Sequence, residues 1–110
     1  MYKDGFVVSI FREGNVLREI DGKVYIPFDS EYKVRLRNRN NFECACDLYI
    51  DSKKVSNLGE MIIPGNESVD LERFIDHSLT DGKKFLFVPV SDSRVEDKGE
   101  PENGWIEARF

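Results

Sequence analysis

Residues 31–50, EYKVRLRNRNNFECACDLYI, alternate apolar and polar side chains on both sides of a polar turn. No other feature of the chain constrains the fold as strongly. Before the turn Asn38-Arg39-Asn40-Asn41, the side chains of Tyr32, Val34 and Leu36 share one face and those of Lys33, Arg35 and Arg37 the other. After it, Cys44, Cys46, Leu48 and Ile50 oppose Glu43, Ala45, Asp47 and Tyr49. A period of two is the repeat of a half-buried strand, because successive side chains leave a pleated backbone on opposite sides. Two such runs around a turn predict a β-hairpin. The opposite signs of Lys33/Arg35/Arg37 and Glu43/Asp47 predict that the two runs pair directly.

The flanking sequence has the same character. Residues 5–11, GFVVSIF, carry apolar side chains on both faces, which suggests a strand covered twice or one packed on another chain. Glu13-Gly14-Asn15 is a turn signal, residues 16–20 (VLREI) a short strand, and Asp21-Gly22 the strongest two-residue hairpin signal present. Residues 23–28 and 60–63 read as strands, with Pro64-Gly65-Asn66 a turn in which Gly65 supplies a free φ. Residues 68–74 alternate again, and residues 84–90 (KFLFVPV) form a strongly apolar strand. Residues 91–104 are a long acidic loop, and residues 105–110 (WIEARF) a last strand. Eight or nine short strands with frequent turns and no helical period predict an all-β fold. The expected architecture is a single antiparallel β-sandwich over 1–110, Ig-like or jelly-roll-like. The Cys…Trp…Cys spacing of true Ig domains is missing, since Cys44 and Cys46 are neighbours on one strand face and Trp105 lies far downstream.

No residue pattern declares a chemical activity. A net charge of −5 argues against non-specific nucleic-acid binding, which needs a basic surface to displace counterions. The basic set Lys33, Arg35 and Arg37 reads as a solvated sheet face or a local contact patch. Cys44 and Cys46 stand about 6.5–7 Å apart along a strand, too far for an easy disulfide. Their simplest reading is two small apolar side chains in the core, and their reduced state suits an intracellular origin. His77 is the only histidine, and as a catalytic base it has no convincing nucleophile beside it. Asp92, Glu96, Asp97, Glu100 and Glu102 do not have the spacing of an EF-hand loop. The expectation is a non-enzyme with no metal and no cofactor. The N-terminal residues show no secretory signal, and no apolar run approaches the roughly 20 residues of a membrane span.

Several segments together, YKVRLRNRNNFECACDLYIDSKKV, MIIPGNESVDLERF, KKFLFVPV and GWIEARF, resemble a small uncharacterised β-domain found in proteins of tailed phages, large DNA viruses and bacteria. The matching positions are Tyr32, Leu36, Asn38, Asn41, Asp51, Ile63, Pro64, Ser68, Leu71, Glu72, Arg73, Lys84, Phe85 and Phe87. Ser52 stands where that pattern usually has glycine, which puts the turn geometry there in question. The resemblance covers about residues 25–110 and carries no catalytic residues. It implies a virion context: a capsid-decorating, minor capsid or tail-associated protein, made in the host cytoplasm. Its partners would be capsid or tail proteins or copies of itself, in a homo-oligomer or larger assembly, with no nucleic acid and no membrane. A soluble binding or inhibitory module aimed at a host protein is the alternative. The expected interaction surface is Phe6, Ile10, Phe11, Lys33, Arg35, Arg37, Trp105 and Phe110, because apolar side chains on both faces of the terminal strands exceed what one thin sandwich must hide. Cys44, Cys46 and Arg73 are expected to be structural, with Arg73 fixing a corner by hydrogen bonds to nearby carbonyls.

Overall fold

Two-residue turns set much of the local geometry. The computed structural model describes residues 1–75, 82–87 and 104–110. Its strands are β1 (Tyr2–Lys3), β2 (Phe6–Arg12), β3 (Asn15–Val16), β4 (Glu19–Ile20), β5 (Lys23–Val24), β6 (Ser30–Glu31), β7 (Lys33–Asn38), β8 (Cys44–Ile50), β9 (Lys53–Lys54), β10 (Met61–Ile63), β11 (Ser68–Leu71), β12 (Leu86–Phe87) and β13 (Ile106–Arg109). Four hairpins turn through Asp4-Gly5, Glu13-Gly14, Asp21-Gly22 and Asp51-Ser52. In each, both central residues have positive φ, from 52° to 84°. That is the type I′ pattern, whose twist matches that of the flanking strands. Ser52 therefore adopts the geometry glycine would give, at φ 64°. Many strands are only two residues long, so the chain holds more and shorter strands than the eight or nine expected. The expected strand over 16–20 is divided: Val16 pairs with Phe11, and Glu19–Ile20 pairs with β5.

The fold is all-β and antiparallel, a sandwich of two principal sheets, and no helix occurs among the described residues. The first sheet runs β1-β2-β7-β11 with β3 beside β2. The second runs β10-β8-β13 with β9 beside β8. The expected hairpin over 31–50 is thus not a hairpin. β7 pairs with β2 and β11, and β8 pairs with β10, β13 and β9. Residues 39–43 arch from one sheet to the other. The predicted faces are right and the predicted partner is wrong. Alternation says which side of a strand is buried, and two runs facing each other across a core carry the same alternation as two runs lying side by side. Val34, Leu36, Cys46 and Leu48 meet in the core, each with 0% exposure. The charges expected to pair across the turn find other partners: Arg35 with Asp70, Lys33 with Glu72, and Lys54 with Asp47.

A second arch, residues 64–67, carries the chain back from β10 to β11, and the two arches stack. Asn38, fully buried, ties them together. Its Nδ2 donates to the carbonyls of Phe42 (2.7 Å) and Ile63 (3.2 Å), and its Oδ1 accepts from the Asn40 amide (3.0 Å). Main-chain bonds from Asn66 to the Asn40 carbonyl (2.9 Å) and from Asn38 to the Glu67 carbonyl (2.9 Å) complete the seam. Gly65 is needed here for closeness rather than for φ. A Cβ on it would lie 2.8 Å from the Asn41 carbonyl carbon and 2.9 Å from the Phe42 nitrogen. The positive φ of this turn belongs to Asn66, at 60°.

At the other end the first sheet opens, and residues 82–87 fill the gap. The Phe85 amide donates to the Glu72 carbonyl (2.9 Å), and the Phe85 carbonyl accepts from the Tyr32 amide (3.1 Å). The Phe85 ring is 1% exposed, with Tyr32 at 5.5 Å and Phe74 at 5.2 Å. Burying such a ring contributes about 2–3 kcal/mol. Ile75 crosses to the second sheet, where its amide donates to the Val55 carbonyl (2.8 Å). His77, positions 88–90 of the expected strand, and nearly all of the acidic stretch 91–104, with Asp92, Glu96, Asp97, Glu100 and Glu102, lie outside the described residues.

Candidate contact surface

Register places the outward side chains of the first sheet in rows. One row reads Tyr2, Val7, Arg37, Ser68; the next Ser9, Arg35, Asp70; the third Val16, Phe11, Lys33. The face has an apolar half on β1, β2 and β3 and a basic stripe on β7, with Asp70 beyond it on β11 and Glu72 just past that strand. Three of the expected contact cations therefore share this face, in different states. The Arg35 guanidinium lies 4.3 Å over the Phe11 ring and holds Asp70 through two hydrogen bonds of 2.7 and 2.9 Å. Those bonds keep the Asp70 carboxyl below its ordinary range and raise Arg35 further. Lys33 is 3.8 Å from Glu72. Arg37 has no ion-pair partner among the described residues, and it lies between half-buried Val7 and Ser68. At the foot of this face Phe11, Lys33, Glu72, Lys84 and Glu31 line an open recess of about 300 Å³. Lys33 pairs there with Glu72 and Lys84 with Glu31 at 3.6 Å, while Glu13, also at the recess, pairs with Arg12 outside it at 3.5 Å.

The other expected surface residues divide. Ile10 is 7% exposed and belongs to the core, because it lies on the inward side of β2 opposite Val34. Phe6 is also on the inward side, at the mouth of the sandwich, where its ring stacks on Phe110 at 4.0 Å and 17°. That stack joins the two sheets, and Phe110 keeps 41% exposure. Phe11 is half-buried beneath Arg35. Cys44 and Cys46 are free thiols on the inward side of β8, half-buried and buried. Burial pushes the Cys46 thiol up to about 12. Arg73 is half-buried, with its guanidinium 3.6 Å from Glu72 and its backbone bridged to Lys84.

On the outward face of the second sheet, Trp105 is 65% exposed. Trp105, Glu107 and Arg109 alternate to the same side of one strand, and Tyr49 lies opposite Glu107 in register. The Arg109 guanidinium is 4.5 Å over the Tyr49 ring and 2.8 Å from the Glu107 carboxylate. These four residues and Ser52 line a recess of about 110 Å³. Two hydrogen bonds fix its Trp105 end: Asp51 N–H to the Trp105 carbonyl (3.0 Å) and Gly104 N–H to Asp51 Oδ1 (2.6 Å). Sequence reasoning named Trp105 and missed Tyr49, Glu107 and Arg109. The alternation had put Tyr49 on the outward side, but only the pairing of β8 with β13 sets it beside Glu107. Tyr2 and Val16 were missed on the other face for the same reason.

Among the described residues, no three His, Cys, Asp or Glu side chains converge as a metal site. Comparison with protein-family models, with curated proteins and with solved structures returned no match. The viral resemblance thus rests on the sequence motifs alone.

Proposed function

We propose that this chain works through protein–protein contacts made by the outward face of its first sheet, as a structural component of a virus particle: a capsid decoration, minor capsid or tail-associated protein. The observation that carries the contact reading is the row Tyr2–Val7–Arg37, flanked by Phe11 and Val16. Tyr2 and Val16 are 65% and 60% exposed, and Arg37 is a cation left without a counter-charge among the described residues. Tyrosine and arginine around a small apolar patch are what protein interfaces concentrate at their centres. The virion placement comes from the motif resemblance. The partner surface would be a capsid or tail protein or another copy of this chain.

The test is mass spectrometry of purified particles from cells making this chain, beside particles made with a Tyr2→Ala/Arg37→Ala double variant. The expected result is high, symmetry-related copy number for the natural sequence and at least tenfold less of the variant, with an unchanged thermal midpoint for the free protein. Absence from particles would reject the virion reading. Recovery with a host protein instead would favour a binding or inhibitory module.

A further inference from the structure

The outward face of the second sheet carries a separate site, independent of the contact face on the first. We infer that the recess of Tyr49, Ser52, Trp105, Glu107 and Arg109 binds one neutral pyranose ring, as at the end of a glycan. A pyranose has an apolar C–H face and a belt of hydroxyls around its rim. It needs a flat aromatic plate with donors and acceptors standing at the plate's edge. Trp105, 65% exposed, offers the plate. Side chains two apart on a strand stand about 7 Å from each other, so a ring lying on Trp105 brings its rim to the Glu107 carboxylate. Ser52 lies at the same recess.

The polar groups are held before any ligand arrives. Arg109 is clamped between the Tyr49 ring at 4.5 Å and the Glu107 carboxylate at 2.8 Å. Glu107 keeps lone pairs free to accept from hydroxyls, and Arg109 keeps N–H groups free to donate. Holding these groups in advance lowers the entropy lost on binding. Other ligand classes fit less well. The Glu107 carboxylate cancels Arg109, which removes the attraction for an anion. Ser52, Glu107 and Arg109 would be left facing an apolar ligand. The recess, about 110 Å³ and open to solvent, is smaller than a pyranose, so the ring would rest on Trp105 with its far face in water. A single ring on one aromatic plate gives a Kd of about 1–10 mM.

The chain has one tryptophan, so its fluorescence reports on this site alone. The full chain is titrated with the methyl glycosides of glucose, galactose, mannose and N-acetylglucosamine up to about 100 mM, ten times the weaker bound. Amide NMR shifts of Glu107 and Arg109 are followed in parallel. The expected result is a saturable emission change and matching shifts with at least one glycoside. Trp105→Ala should abolish the NMR response at an unchanged thermal midpoint, and Glu107→Gln should weaken binding about tenfold. Trp105→Phe, with a smaller plate, should retain weak binding. No saturable response to any glycoside would overturn the proposal. So would an equal NMR response in Trp105→Ala, or saturation by a proline-rich peptide with none by the sugars.

Discussion

Asn38 does most at the scale of one residue. Fully buried, it answers three main-chain groups: those of Asn40 and Phe42 in the first arch, and that of Ile63 at the end of β10 where the second arch begins. Asn38→Ala should cost about 2–4 kcal/mol in urea unfolding, because it strands buried carbonyls and opens space. Asn38→Asp should be no milder, since an ionised carboxylate would face the Phe42 and Ile63 carbonyls without a donor. Gly65→Ala should cost about 1–3 kcal/mol, because a methyl 2.8 Å from backbone forces the two arches apart. Ser52→Gly should act the other way and stabilise by about 0.5–1 kcal/mol. It removes the side-chain penalty at φ 64° and gives back part of the gain as glycine's extra unfolded-state freedom. Thermal or urea midpoints of the four variants check these values. Ser52 was legible as a turn residue from sequence. Asn38 was legible only as part of a polar string, because nothing local says that a second arch will cover it.

At the scale of elements, the strand faces were readable and their neighbours were not. Tyr32, Val34 and Leu36 inward, with Lys33, Arg35 and Arg37 outward, follow from alternation alone. Which strand lies beside β7 depends on residues far along the chain, and the charges of Glu43 and Asp47 suggested a false partner. Local turns fared better, since Asp21-Gly22 closes its hairpin with information contained in the turn itself. A double-mutant cycle separates the two pairings of β7. Arg35→Ala and Asp70→Ala should be coupled, whereas Arg35→Ala and Glu43→Ala should be additive. The Arg35–Asp70 coupling also has a pH window. Asp70 titrates below its usual value of 3.8 in the folded chain, so its contribution is present above that value and is lost as pH falls through the lower, folded one. The Asp70→Asn variant should therefore differ from the natural sequence in thermal midpoint at pH 7 and converge with it in strong acid.

For the whole molecule, the core sets the alkaline limit. Cys46 moves from 9.0 to about 12 through burial, and burial raises the Tyr32 phenol well above its ordinary range. Both groups favour the folded chain while neutral. Their stabilising share is complete below pH 9 and is lost as pH rises from 9 through the folded values. Cys46→Val should keep stability near neutrality and flatten the loss between pH 9 and 12, as read from urea midpoints across that range. In the native protein a thiol reagent at pH 8 should leave Cys46 unmodified and label both cysteines after denaturation. The seam between the arches also bears on the route of folding. β7 must wait for β11, and β8 for β13, partners that lie far along the chain, while the four tight hairpins close at once from neighbours. Such a molecule acquires its corners early and its sheets late. Until β13 arrives, the strand at the centre of the second sheet has a bare edge open to the same strand of another copy. The yield of refolding should therefore fall with protein concentration well before the stability of the finished fold gives any sign of it.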